Sequence, residues 1–190
     1  MNDINNYIES FLKKNNGKKA YFEIKFGKVI NDFKFNLNIK KIEFLNLIKE
    51  IKKLTKSENI KYSSFTRYLY NNLQLDAYTN GIQKCTYKKA KDILDINMNK
   101  YKYDMKIISS KNNILPSHIF TCNINYDSVY NVESISINDN KLYKIVFNQC
   151  TYSPDYIVYQ INIVLTNSIK DYKLICNNII DIIKLINNIN

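Results

Sequence analysis

Two residues on a short alternating segment are spaced so that they can act together. In Tyr21-Phe22-Glu23-Ile24-Lys25-Phe26-Gly27, a carboxylate and an ammonium stand two positions apart. Side chains at i and i+2 of an extended chain leave the same face, so Glu23 and Lys25 project together while Phe22, Ile24 and Phe26 leave the other. If that face lined an enclosed channel, the carboxylate would hold a hard divalent cation and the ammonium would sit against a phosphate oxygen. On an open antiparallel sheet the same pattern is an ordinary surface ion pair.

Other chemistries find no support. The three glycines are far apart, so no Gly-rich loop is available to cradle a phosphate. The single histidine, His118, lies near Pro116 in a loop-like stretch and reads as a solvated side chain. Cys85, Cys122, Cys150 and Cys176 form no C-x-x-C pair, and one histidine cannot complete a zinc set. They read as four reduced, mostly buried thiols with no cationic neighbourhood to activate them. The segment MNDINNYIESFLKKNN is acidic before it is basic and lacks an apolar targeting core. No run approaches the ~18 apolar residues of a membrane span. The expectation is an intracellular, cytoplasmic protein with no membrane partner.

The chain carries 28 Lys+Arg against 17 Asp+Glu, a formal net charge of +11. A field of that sign attracts phosphate-rich partners. Abundant Asn, Ile, Lys and Tyr also match an AT-rich coding sequence, which supplies lysine without any functional demand, so charge alone does not decide. Arg67 is the only arginine, which argues against bidentate reading of bases in duplex DNA.

The elements that must position Glu23 and Lys25 follow from periodicity. Ile4, Tyr7, Ile8, Phe11 and Leu12 share a helical face that ends at Asn15-Asn16-Gly17. After the Tyr21–Gly27 strand, Phe33 to Ile39 alternates as a second strand. A helix is expected over Lys41–Leu54, with Leu45, Ile48, Ile51 and Leu54 as its buried stripe. Strand-like runs then follow one another: Phe65–Leu75, Gln83–Ala90, Lys100–Ser109, Phe120–Asn125, Glu133–Ile137, Lys141–Phe147 and Tyr156–Leu165, with Asp171–Cys176 as a last strand. A helix over Asn178–Ile189 closes the chain, with Ile179, Ile182, Ile183 and Ile186 facing inward. The order predicts a single α+β domain, residues 1–190. Its antiparallel β-sheet of about eight strands is closed or nearly closed into a tunnel. Helices flank the sheet at the N-terminus, after the second strand and at the C-terminus.

In this order the segments resemble the triphosphate tunnel metalloenzymes, in particular the RNA 5′-triphosphatases of fungal and viral mRNA capping. The first strand of that family carries acid-x-acid-x-(Lys/Arg), matched here by Tyr21 to Lys25. FKFNLNIKKIEFLNLIKEIKKL (Phe33 to Leu54) resembles the strand and helix that follow. YNNLQLDAYTNGIQKCTYKKAKDILDI (Tyr70 to Ile96) resembles a hairpin ending in a basic strand. YDMKIISSKNNILP (Tyr103 to Pro116) resembles the Asp-x-Arg-x-Ser strand, and KLYKIVFN (Lys141 to Asn148) the Lys/Arg-rich strand. YIVYQINIVLTNS (Tyr156 to Ser168) and DYKLICNN (Asp171 to Asn178) resemble the last two strands, the second of which carries a final acid-x-acid pair.

The resemblance implies Glu23 and Lys25 as catalytic residues, Glu23 as a metal ligand, and Mg or Mn as cofactor if the protein is active. It implies phosphate-binding roles for Lys25, Lys88, Lys89, Lys106, Lys141 and Lys144. The departures are one-sided. Tyr21 stands in place of the first acid, and Lys173, Ile175 and Cys176 where later acids belong. Gln160 and Asn162 are uncharged at lumen-facing positions, Lys111 or Asn112 replaces a glutamate, and Gln74 stands for the hairpin arginine. Unless Asp104 or Asp171 fills the gap, one carboxylate does not anchor a divalent ion, whereas the basic lining persists. The leading expectation is an RNA 5′-triphosphatase-like tunnel protein of mRNA capping that is catalytically degenerate. It would bind RNA 5′ ends or polyphosphate, or serve as a structural subunit beside other capping or transcription proteins, in a viral factory or virion. The alternatives are an active metal-dependent hydrolase releasing the γ-phosphate of nascent mRNA, and a non-enzymatic β-rich interaction protein.

Overall fold

A computed structural model describes residues 2–16, 20–31, 34–98, 101–116, 125–138, 142–165 and 171–188. Helix α1 (Asn2–Asn15) precedes strand β1 (Ala20–Asn31), a short strand β2 (Lys34–Asn36) and helix α2 (Lys41–Leu54). Then come β3 (Ile60–Tyr70), β4 (Leu73–Tyr78), β5 (Gln83–Ile96), β6 (Asp104–Leu115), β7 (Ser128–Ile137), β8 (Tyr143–Ser153), β9 (Tyr156–Leu165) and helix α3 (Tyr172–Asn188). All pairings are antiparallel. The spatial order is β2-β1-β6-β5-β4-β3-β7-β8-β9, and β1 also pairs with β9, so eight strands close into a barrel with β2 as an extra strand on β1.

The closed sheet has two chemically distinct faces. Phe22, Ile24 and Phe26 are 2%, 0% and 0% exposed and pack outward against the helices. Met105 and Ile107 of β6, Phe147 of β8 and Ile161 and Ile163 of β9 join them, covered by Ile8 and Leu12 of α1, Leu47 of α2 and Ile179 and Ile183 of α3. The main apolar core therefore lies outside the barrel, between sheet and helices, and the inner face of β1 is left with Tyr21, Glu23 and Lys25. No helix among the described residues is long and apolar enough to cross a membrane.

Helix α2 has the expected bounds, but its buried stripe is Phe44, Leu47, Ile48 and Ile51, while Leu45 is exposed. Phe44 takes the inward seat because its ring packs edge-on against Phe147 and tilted on Tyr159, at centroid distances of 5.8 and 5.0 Å. Tyr7 of α1 is likewise exposed rather than buried. The run expected as one strand from Phe65 to Leu75 is a hairpin, turned at Asn71 (φ 52°) and Asn72, because Asn tolerates the left-handed conformation that a two-residue turn demands.

The expected last strand, Asp171–Cys176, is instead the start of α3. Asp171 Oδ1 accepts the backbone N–H of Leu174 at 2.9 Å, a helix N-cap, and Ile175, Ile179, Ile182, Ile183 and Ile186 are all buried at helical spacing. Of the expected Phe120–Asn125 strand, residues 120–124 lie outside the described residues, as do His118, Cys122 and Lys141. Cys85, Cys150 and Cys176 are free and buried, and burial pushes the thiols of Cys150 and Cys176 up to about 11, so they carry little nucleophilic character.

Gly27 lies beside the antiparallel pairing of β1 with β2, where the two chains approach closely. A Cβ there would lie 2.1 Å from the carbonyl oxygen of Asn36 and 2.6 Å from the ring of Phe35. Gly27→Ala is expected to cost about 1–3 kcal/mol of overpacking, which thermal unfolding reads as a Tm lower by roughly 2–4 °C per kcal/mol. An unchanged Tm would show that β2 gives way without loss.

Candidate functional site

The interior of the barrel is charged because alternation leaves it no other choice on β1, and closure brings cations from other strands toward the same point. Lys25 Nζ lies 3.8 Å from Glu23 Oε2, both side chains mostly shielded from solvent. In the ladders, Glu23 stands opposite Ile108 of β6 and Val164 of β9, and Lys25 opposite Lys106 and Asn162. Lys144 is one strand further on, opposite Val164. Burial pushes the Glu23 carboxyl upward, yet Lys25, Lys88, Arg67 and Lys144 together outweigh it and hold the group below its ordinary value. Glu23 is therefore a carboxylate enclosed by four cations.

The lysines bear the opposite strain. Burial lowers Lys88, Glu23 offsets part of this, and the Arg67 and Lys25 charges lower it further. Lys144 is lowered by burial and by Lys84 and Lys61, with Glu23 again opposing. Lys106 is committed elsewhere, 3.3 Å from Asp95 Oδ1 and over the Phe35 ring. Lys89 stands opposite Lys111 on β6 and is exposed on the outer face, since β5 turns Lys88 inward and its neighbour outward. Tyr21, in the place of an acid, has its ring beneath Lys88 Nζ at 5.9 Å, and burial and the Glu23 charge hold its hydroxyl far above the ordinary tyrosine value.

Sequence reasoning missed the strongest ion pair in the tunnel. Arg67 Nε and Nη2 donate to the two carboxylate oxygens of Asp76 at 2.7 and 2.9 Å, and Gln74 Nε2 donates to the same carboxylate at 2.9 Å. Arg67 also bonds the Tyr130 hydroxyl, and although burial opposes its charge, the Asp76 pairing holds it above the ordinary arginine value. Gln74, expected to stand for a hairpin arginine, instead shares the Asp76 carboxylate with Arg67 of the neighbouring strand. The signal was present: a two-residue turn at Asn71-Asn72 puts Arg67 directly across from Asp76.

The residues around Glu23 do not fit a hard divalent ion. Mg²⁺ and Mn²⁺ take about six oxygen ligands with carboxylates among them. Among the described residues, no three His, Cys, Asp or Glu side chains come together. The facing strand offers Asn162 and Val164, with Gln160 two residues before. Asp104 is spent on the backbone N–H groups of Val29 and Met98, at 2.9 Å each, and Asp171 on its helix cap. Asn162 is 4% exposed, and its Oδ1 has no hydrogen-bond partner among the described protein groups. What the arrangement can do is attract an anion: four cations act on Glu23, and Arg67, one of them, is already paired with Asp76.

No family model matches the chain, and no curated protein matches it. Solved structures do. The RNA triphosphatase Pct1 of S. pombe superposes with a TM-score of 0.76 at 12% identity, over 100% of this chain and 92% of that one. The same enzyme in complex with the Spt5 CTD gives 0.78 at 11%, over 100% and 93%. The RNA triphosphatase domain of the mimivirus mRNA capping enzyme gives 0.70 at 14%, over 98% and 97%. The fold is that of the RNA triphosphatase tunnels.

Removing Arg67 strands a buried carboxylate. Arg67→Ala is expected to destabilise by about 3–5 kcal/mol, whereas a double Arg67→Leu, Asp76→Leu variant recovers most of the loss in urea unfolding. Equal loss in both variants would mean that packing, not the ion pair, sets the cost.

Proposed function

We propose that this chain is a catalytically degenerate triphosphate tunnel protein that binds the polyphosphate of an RNA 5′ end, or polyphosphate itself, without a metal. The observation that carries this reading is the one-sided charge of the tunnel: Lys25, Lys88, Arg67 and Lys144 converge on Glu23, and neutral side chains fill the facing strand. A lysine holds phosphate as a point charge and needs no bidentate geometry. Inside an enclosed, weakly screened lumen such contacts are stronger than at a surface. Burial first, and neighbouring cations second, lower Lys88 and Lys144; a bound polyanion opposes both, so binding takes up protons and tightens as pH falls from the alkaline side.

In this reading the chain works in mRNA capping as a binding or structural component, beside transcription or capping partners of the kind the S. pombe enzyme was solved with. Lys25, Lys88 and Lys144 are its phosphate-binding residues, with Lys106 at the edge of the set. The active hydrolase is the second reading, favoured by the retention of Glu23 and Lys25 on the first strand.

Glu23→Gln separates the two, because they predict opposite signs. For a metal-free anion binder it removes the counter-charge, so tripolyphosphate binds more tightly in EDTA, by calorimetry, and raises the Tm of the variant more than that of the wild type. For a metal enzyme the same change abolishes phosphate release from triphosphate-ended RNA. Turnover of wild-type protein with Mg²⁺ or Mn²⁺ that disappears in Glu23→Gln would falsify the proposal. So would binding insensitive to salt, since displacement of counterions from a polyanion makes affinity fall steeply with ionic strength.

A further inference from the structure

Beyond the phosphate-binding lysines, the tunnel carries an aromatic row that they do not explain. Tyr130 of β7, Tyr152 of β8 and Tyr156 of β9 all take the tunnel parity of their strands, with Cys150 and Val158, two residues from Tyr152 and Tyr156, packed on Tyr130. The Tyr130 and Tyr152 rings stack with centroids 4.4 Å apart at 28°, and Tyr152 meets Tyr156 at 5.2 Å and 40°. The row rises from the charged interior to solvent: the three side chains are 9%, 38% and 57% exposed. At its inner end Tyr130 lies directly across the β3–β7 ladder from Arg67, so the aromatic row adjoins the cation set. Facing Tyr152 and Tyr156 across a cavity of about 450 Å³ are Phe35 and Leu37, with Asn36 and Gln160 also on the wall. That volume lies in the range of small-molecule sites.

A row of three adjoining tyrosine rings, one pair stacked and the next tilted, that opens on a cavity has a geometry that few ligands match. Flat aromatic walls with amide groups among them fit a nucleobase, whose faces stack and whose edge hydrogen-bonds. The position is as informative as the chemistry. The cavity wall carries Phe35, over whose ring Lys106 Nζ lies at 5.0 Å, so the aromatic site borders the basic lining of the tunnel.

We infer that Tyr152 and Tyr156 form a base shelf at the mouth of the tunnel, on which the first nucleoside of a 5′-polyphosphorylated single strand stacks while its phosphates occupy the lumen. This rests on the polyphosphate reading above and adds to it a preference for base-bearing ligands. Stacking is indifferent to which base is present, so the shelf selects single-stranded ends over duplex ends, whose bases are already stacked.

The test compares three probes at one salt concentration in EDTA: tripolyphosphate, ATP and a 5′-triphosphorylated RNA tetranucleotide. Wild-type protein is expected to bind the two base-bearing probes more tightly than tripolyphosphate by roughly five- to 150-fold, the range for one stacked base. Tyr152→Ala and Tyr156→Ala remove that advantage and leave tripolyphosphate binding unchanged, while Tyr152→Phe keeps it, because the ring and not the hydroxyl stacks. Because both tyrosines are partly or well exposed, these variants are expected to fold, which the retained tripolyphosphate affinity verifies. Equal affinity for all three probes overturns the shelf and leaves the tunnel reading intact. Absence of tripolyphosphate binding by wild-type protein at low salt overturns both. An advantage for ATP that survives both alanine variants places the base elsewhere and also overturns the shelf.

Discussion

Strand β1 is hydrogen-bonded to β6 along one edge and to β9 along the other, and this double pairing closes the barrel. Once it is closed, the two-residue period of the strand becomes a division of space. Phe22, Ile24 and Phe26 can reach only the helices outside, and Tyr21, Glu23 and Lys25 only the lumen. The same division applies to every strand around the ring, so charges far apart in sequence are confined to one small volume. Two unit charges 4 Å apart interact by about 4 kcal/mol at the effective dielectric of a partly shielded site, against about 1 kcal/mol in water. Closure therefore turns an unremarkable set of lysines into a strongly coupled one.

That coupling explains why the lumen also holds a neutralised arginine. Asp76 takes both Nε and Nη2 of Arg67, and Gln74 completes the carboxylate, so this pair adds little net charge. Such a pair is weak evidence of stability gained, since desolvation offsets much of the attraction, but breaking it is expensive. Its role in the site is positional: Arg67 is fixed where it bonds Tyr130, and the excess positive charge comes from Lys25, Lys88 and Lys144.

Elements whose inside and outside differ sharply in polarity were legible before any coordinates. β1 and β9 alternate too regularly for another reading, α2 begins and ends where its periodicity does, and the order of elements pointed to a closed antiparallel barrel. What escaped were decisions made by contacts between distant residues. Asp171 to Cys176 has strand-like composition, but a side-chain cap at Asp171 and a buried isoleucine stripe made it helix. Lys88 and Lys89 are adjacent, and only the register against β6 sends one inward and the other out. Phe44 displaced Leu45 because Phe147 and Tyr159, over a hundred residues away, offered ring contacts. The facing of Arg67 and Asp76 follows once Asn71-Asn72 is a two-residue turn, but the unbroken β-like composition from Phe65 to Leu75 conceals that turn.

Tyr21 gives the charge pattern its meaning. In a metal-dependent tunnel, carboxylates hold a divalent cation and the cation helps to hold phosphate, so the two sets of charges cancel to first order. Removing both together leaves the pull of the lysines on a polyanion nearly unchanged while removing the Lewis acid that polarises it. Binding and turnover are therefore separable in this architecture, and loss of the acids alone does not make the lumen inert. The Tyr21 ring fills volume beneath Lys88, and its hydroxyl, held far above its ordinary value, adds no charge to the lumen. Without Glu23, the charges of Lys25, Lys88 and Lys144 would lose the carboxylate that offsets them, since Asp76 is already paired with Arg67. In the metal-free reading proposed above, Glu23 moderates the repulsion among the surrounding cations, which is the property that its replacement by glutamine isolates.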